Sequence, residues 1–266
     1  MLNQYFPVNE YHTPENRKRA LGDILSIGTN LYFSLKFLSI VLRNRRLALN
    51  NQYDTAEWAL SSNTIFNLLE DCGLKFHIEG FEHLDAVKDE PVVFVSNHMG
   101  TLETMIFPGL IAPVKEVTFV VKESLTSNPV FGPVMRARRP VTVGRSDSRA
   151  DLMKVISEGQ QKLTEGTSVV IFPQSTRALD FDPSKFNSLG IKLAQKAKVR
   201  VVPMAIKTDA WVMGKIIKDI GYLKRDVPVY IKFGEPITIK GTGKEEQQTI
   251  VDFIGENVNK WNNLKQ

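Results

Sequence analysis

Beyond residue 75 the sequence alternates short apolar runs, rich in β-branched and aromatic residues, with stretches of helical spacing, and few folds accept that order. Strands are expected at residues 76–79, 91–95, 117–121, 141–143, 168–172, 199–206 and 229–233, and helices at 151–164, 189–198 and 245–261. Such alternation predicts an α/β fold, a mostly parallel sheet flanked by helices on both faces and joined by right-handed crossovers. The pattern leaves open whether the strand near Phe233 runs parallel or antiparallel. A chain of 266 residues that is 42% hydrophobic can bury one large core or two smaller ones. The expected organisation is an N-terminal helical segment over residues 1–73 and an α/β domain over 74–266.

Open sheets of this class bind ligands past the carboxyl ends of their strands. Two stretches stand there. The first, Ser96-Asn97-His98-Met99-Gly100-Thr101-Leu102-Glu103-Thr104, follows the apolar run 91–95. Four residues separate His98 from Glu103, and five steps of roughly 100° put them on different faces of a regular helix. They meet only if the backbone bends at or just after the histidine. Gly100 tolerates unusual dihedrals, and Thr101 can cap a helix running through Leu102 and beyond. An imidazole hydrogen-bonded to a carboxylate has a fixed tautomer and a more basic free nitrogen, as a general base acting on an alcohol requires. The plain alternative is a histidine that is merely hydrogen-bonded near a strand end.

The second stretch, Phe172-Pro173-Gln174-Ser175-Thr176-Arg177-Ala178, also follows an apolar run. Pro173 removes a ladder donor and helps stop the strand, leaving Gln174, Ser175, Thr176 and Arg177 at the sheet edge that carries His98. An arginine beside hydroxyls suits a phosphate, because its fork takes two oxygens while hydroxyls and amides take others. Alone, Arg177 reads as a surface ion pair sooner than as a phosphate ligand. Between the two stretches lie Lys122-Glu123-Ser124-Leu125 and a basic run of Arg136, Arg138, Arg139 and Arg145, which is either functional or a solvated face.

Toward the N-terminus, residues 24–42 are apolar but interrupted by Lys36 and several hydroxyl and amide side chains. A membrane span needs roughly 20 predominantly apolar residues, so the length nearly suffices and the polarity does not. Leu21, Ile24, Leu25, Leu31, Tyr32, Leu35, Leu38 and Leu42 share one helical face, opposite Ser26, Thr29, Lys36 and Arg43. That pattern suits a helix lying in a membrane interface, with Arg43, Arg45 and Arg46 meeting anionic headgroups. Packing on the protein's own core is the competing reading. A second helix is expected from Asp54 to about Asp71, ended by Gly73 and forming a hairpin with the first.

The net charge of +5 favours anionic partners without choosing among them. A non-catalytic module that binds anionic membranes or nucleic acid would need only this basic surface; of the two, nucleic acid is disfavoured, since the basic residues carry no aromatic stacking motif, zinc spacing or recognition-helix pattern. The single cysteine, Cys72, cannot form an intrachain disulfide and suits a reducing compartment. The first residues do not read as a secretory signal. A hydrolase would need a nucleophile, and no Gly-x-Ser-x-Gly elbow appears, although Ser96 lies two residues from His98.

Taken in order, Asn97-His98 with Glu103, Lys122 to Leu125 with Phe131-Gly132 and Arg145, Phe172-Pro173 with Thr176-Arg177, and Val201-Val202-Pro203-Met204-Ala205-Ile206 resemble the glycerolipid acyltransferase family, 1-acylglycerol-3-phosphate acyltransferase type. The resemblance covers about residues 75 to 240 and implies transfer of a fatty acyl group from a thioester donor, acyl-CoA or acyl-carrier protein, to a lysolipid hydroxyl. It implies His98 as the base, Glu103 as the group that orients and charges the imidazole, and no acyl-enzyme. Lys122, Arg145 and Arg177 would bind a phosphate with the hydroxyl-bearing Ser175 and Thr176 beside them, without cofactor or metal. The implied location is the cytoplasmic face of a membrane, peripheral or monotopic. Three departures concern the acceptor. Glu103 stands where the family usually has aspartate, Gln174-Ser175 where it has Glu-Gly, and Gly144 precedes Arg145 in place of an acid, with Ala137-Arg138 near a common glycine. A lyso-aminolipid or another lysophospholipid is therefore a rival to lysophosphatidate.

Overall fold

A computed structural model describes residues 5–7, 9–27, 29–174, 176–214 and 221–264. Its centre is β3 (Val93–Ser96), whose four residues are all buried. Phe94 points into one apolar core while Val93 and Val95 point into another, so a continuous apolar run is what a strand covered on both faces requires. The other strands are β1 (Glu10–His12), β2 (Phe76–Glu79), β4 (Val117–Lys122), β5 (Val141–Val143), β6 (Ser168–Ile171), β7 (Val201–Lys207) and β8 (Val229–Phe233). They form an eight-stranded sheet in the order β1-β2-β8-β7-β3-β6-β4-β5. Pairings β7-β3, β3-β6, β6-β4, β4-β5 and β2-β8 are parallel. The strand ending at Phe233 is antiparallel to β7 and parallel to β2, and β1 pairs antiparallel with β2.

The helices are α1 (Leu21–Leu25), α2 (Leu31–Leu49), α3 (Thr55–Asp71), α4 (Phe81–Asp85), α5 (Leu102–Ile111), α6 (Glu123–Thr126), α7 (Gly132–Ala137), α8 (Ser148–Thr164), α9 (Leu189–Ala197) and α10 (Lys244–Asn263). Residues of α2, α3 and α5 share one core with Phe94, Met204 and Phe233, and residues of α8, α9 and α10 share the other with Val93 and Val95. Asp54 caps α3 by accepting from the Glu57 N–H at 2.8 Å, and Gly73 ends it at φ 94°. Lys198 at φ 57° closes α9, which delays β7 to Val201.

The apolar segment 24–42 is two helices rather than one. Ser26 and Thr29 turn their hydroxyls onto the carbonyls of Gly22 and Ser26, and Ile27 takes φ 47°, so local side-chain bonds outcompete the helical ladder between α1 and α2. Among the described residues no helix is long and apolar enough to cross a membrane. The hairpin of α2 and α3 packs Phe33, Phe37, Val41, Trp58 and Leu69 into the same core as the sheet. Leu21, Ile24, Leu25, Leu31, Leu35, Leu38 and Leu42 remain exposed, Leu21 at 77% and Leu35 at 60%.

Candidate active site

Because β7, β3, β6 and β4 are parallel neighbours, four chain segments leave the sheet at one edge. Val95 is level with Ile171 and Ser96 with Met204. The segments after them therefore place Asn97 to Glu103, Phe172 to Gln174 with Thr176 and Arg177, and Thr208 around one point, with Lys122 ending β4 nearby.

Asn97 is locked to β7 by two amide contacts, its Nδ2 donating to the Ile206 carbonyl and its Oδ1 accepting from the Ile206 N–H, both at 2.9 Å. His98 follows, its backbone N–H donating to Gln174 Oε1 at 2.7 Å and its ring stacked on Phe172 at 4.3 Å. The chain then bends, and Glu103 in the first turn of α5 reaches back. Glu103 Oε1 lies 2.8 Å from His98 Nδ1 and accepts from the Met99 and Gly100 N–H groups at 2.7 Å, while Thr208 Oγ1 donates to Oε2 at 2.7 Å. Gly100 does not take a left-handed conformation. What it supplies to the bend is its N–H. Thr101 holds the N-cap position of α5 but makes no side-chain cap; its hydroxyl faces Arg177 Nη1 at 3.3 Å. Glu103 thus satisfies N–H groups ahead of the helix, where the helix dipole also favours a carboxylate.

Glu103 is fully buried. Burial pushes its pKa up, but the bond to and charge of His98, the Gly100 N–H and the Thr208 hydroxyl outweigh that and bring it down to about 2. An ionised carboxylate only accepts, so His98 Nδ1 carries a proton and donates; in the neutral imidazole the lone pair is then at Nε2, and in the imidazolium Nε2 holds the second proton. The pair is poised to accept a proton at Nε2.

His98 opens into a cavity of about 900 Å³, and Lys122, Arg145, Thr176 and Arg177 line it too. Arg145 sits at φ 65° on the loop after β5, where Asp151 accepts the Gly144 and Arg145 N–H groups at 2.8 and 2.7 Å. Lys122, Arg145 and Thr176 are exposed and Arg177 half-buried. Ser175 lies outside the described residues. Apolar side chains also line the cavity, among them Val41, Trp58, Ile65, Met105, Phe119 and Val134. The basic run divides: Arg136 donates to the Thr126 carbonyl and Arg139 is exposed, while Arg138 lies against Trp58 inside the cavity. Ser96 is fully buried and donates to the Asn97 carbonyl at 2.9 Å, which turns it away from a nucleophile's role beside His98. Among the described residues no three His, Cys, Asp or Glu side chains converge as a metal site would need.

Gln174 and Thr208 were not legible as partners of the dyad. Thr208 stands just past a strand, the same position that marks His98, and that rule could have found it.

The sequence profile of the acyltransferase family matches residues 75–207, half of the chain, and those residues contain His98, Glu103, Lys122, Arg145 and Arg177. This chain belongs to the acyltransferase family. It is 27% identical over 171 residues to the 1-acyl-sn-glycerol-3-phosphate acyltransferase of Pseudomonas aeruginosa, covering 64% of this chain and 62% of that protein. It is 30% identical over 141 residues to the lyso-ornithine lipid O-acyltransferase of Rhizobium meliloti, covering 50% of this chain and 45% of that one. The chain therefore spans less than two thirds of both relatives. Its fold is that of the crystal structure of the 1-acyl-sn-glycerophosphate acyltransferase PlsC from Thermotoga maritima, with TM-score 0.68 at 20% identity over 92% of this chain and 99% of that one.

Proposed function

We propose that this acyltransferase moves a fatty acyl group from a thioester donor, acyl-CoA or acyl-carrier protein, to the free hydroxyl of 1-acylglycerol-3-phosphate, giving phosphatidate in phospholipid biosynthesis. The observation that carries the reading is a buried, ionised Glu103 holding His98 Nδ1 at 2.8 Å, with Nε2 left to a cavity lined by both cationic and apolar side chains. In the proposed reaction Nε2 takes the acceptor's hydroxyl proton as the oxygen attacks the thioester carbon. The tetrahedral intermediate collapses by breaking the carbon–sulfur bond, and the thiolate leaves with the proton held at Nε2. Glu103 stabilises the imidazolium between the two proton transfers. Lys122, Arg145 and Arg177, with Ser175 and Thr176 beside Arg177, are assigned to the phosphate. The apolar wall is assigned to a fatty chain.

The exposed leucine face of α1 and α2 supports work at a membrane surface, as a peripheral or monotopic protein on its cytoplasmic face. A second acceptor reading, a lyso-aminolipid, draws on the lyso-ornithine relative and on Gln174-Ser175 in the phosphate turn. Purified protein offered acyl-CoA and acyl-carrier protein with a panel of lysolipids, with products identified by mass, separates the two. Phosphatidate formed in preference to an acylated aminolipid supports the first. Steady release of free fatty acid without an acceptor would overturn both.

A further inference from the structure

The cavity that begins at His98 runs beneath α2 and α3 and reaches a group of polar side chains. Its wall can be followed ring by ring. Phe172, stacked on His98, lies 6.3 Å from Phe119; Phe119 meets Trp58 edge-on at 5.7 Å; and the Arg138 guanidinium lies 4.7 Å from the Trp58 ring centre. Trp58 and Ser61 are three residues apart on α3 and share a face. At Ser61 two further side chains join, the Asn44 amide donating to Ser61 Oγ at 2.6 Å and the Tyr53 hydroxyl at 3.3 Å. Asn44, Tyr53 and Ser61 are each at least 95% buried, and all line the cavity with Arg138.

The pairing within this group is incomplete. Asn44 Oδ1 and Arg138 Nε are buried and have no partner in the protein. The Asn44 nitrogen is thus satisfied by Ser61 while its oxygen is open to a donor from the cavity. A wall that had only to accept hydrocarbon would be selected for aliphatic side chains here, since an unpaired buried polar group is costly. The ligand's own chemistry supplies what is missing. A hydroxyl donates as well as accepts, so it can donate to the open Asn44 Oδ1.

We propose that this end of the cavity selects an acyl chain carrying a hydroxyl group at a carbon remote from the thioester, with Asn44 as its hydrogen-bond partner and Arg138 keeping the surrounding wall polar. The inference rests on the acyl-transfer reading, because it assigns the transferred chain to the cavity that leaves His98. Asn44 and Arg138 are specificity residues in this scheme and take no part in the proton transfers.

The test has two arms. In the first, full-length protein is given palmitoyl-CoA in competition with palmitoyl-CoA hydroxylated at one of several positions from mid-chain to the ω carbon, and products are resolved by mass. At least one hydroxylated donor is expected to be used about tenfold better than palmitoyl-CoA, the worth of one buried hydrogen bond. Asn44→Leu should erase or reverse that preference. In the second arm, palmitate and its hydroxylated forms compete for binding with a fluorescent fatty acid, which needs no turnover. Preferential displacement by a hydroxylated acid, with no product from any thioester, would keep the site and remove the acyl-transfer reading. Preference for the plain chain in both arms, over every hydroxylated position, overturns the proposal, whether or not Asn44→Leu folds.

Discussion

At the scale of single residues, the function of His98 depends on the protonation of Glu103. Glu103→Gln keeps much of the shape but removes the charge that stabilises an imidazolium, while His98→Ala removes the base itself. His98→Ala is expected to lose 100-fold or more in kcat with unchanged circular dichroism, since general-base loss typically costs that much. Glu103→Gln should be impaired less. Near-normal turnover by His98→Ala would remove the assignment. The folded Glu103 pKa, about 2, lies below the ordinary glutamate value, so its carboxylate stabilises the fold above the ordinary value and that contribution fades as pH falls toward 2. Acid titration of thermal stability should show the wild type losing its advantage over Glu103→Gln between about pH 4.5 and 2, and an advantage unchanged over that range would contradict it. Arg145 and Arg177 line the cavity with His98, and replacement by lysine removes the fork. With lysophosphatidate as acceptor, either change should raise the acceptor KM by about 10- to 150-fold while the donor KM moves far less. Equal movement of both KM values would count against a lysophosphatidate acceptor.

At the scale of elements, α1 and α2 present one face inward through Phe33, Phe37 and Val41 and another outward through the leucines. The inward face explains why the helices stay on the protein; the outward one is exposed among the described residues. Arg43 is already paired with Glu57 at 2.9 Å and Arg45 donates to the Pro129 carbonyl at 3.0 Å, whereas Arg46 is exposed. Leu35→Gln with Leu38→Gln should therefore reduce co-sedimentation with anionic vesicles more than Arg46→Gln does, since each buried leucine is worth about 1.5–3 kcal/mol and each basic side chain near the surface roughly 1 kcal/mol. Arg43→Gln should do least. Binding indifferent to the leucine changes but abolished by salt would reassign the contact to charge alone. The sequence showed this leucine face but not the break between α1 and α2, where the hydroxyls of Ser26 and Thr29 bond to carbonyls and compete locally with the helical ladder.

At the scale of the whole molecule, the helical hairpin and the sheet share a core, in which Phe37 meets Trp211 edge-on at 5.2 Å. Phe37→Ala is expected to destabilise by about 3–5 kcal/mol and to lower a single unfolding transition of the entire chain. Separate transitions for residues 1–73 and 74–266 would show the two segments to be independent. By itself the sequence determined the local matters: which runs from residue 76 onward are strands, that the sheet is mostly parallel, and that His98 and Arg177 each stand just past a strand, while β1 at Glu10–His12 was not among the expected strands. These follow from side-chain periodicity and turn chemistry, which act over a few residues. Tertiary structure alone decided which strands are neighbours. Placing β7 beside β3 brings Thr208 onto Glu103 across 105 positions of chain, and placing β6 on the other side brings Gln174 to the His98 N–H across 76. The same packing turned Arg138, one of four similar arginines in the sequence, inward against Trp58. Such contacts are chosen by the mutual burial of segments distant in the chain, and no local pattern of residues encodes that choice.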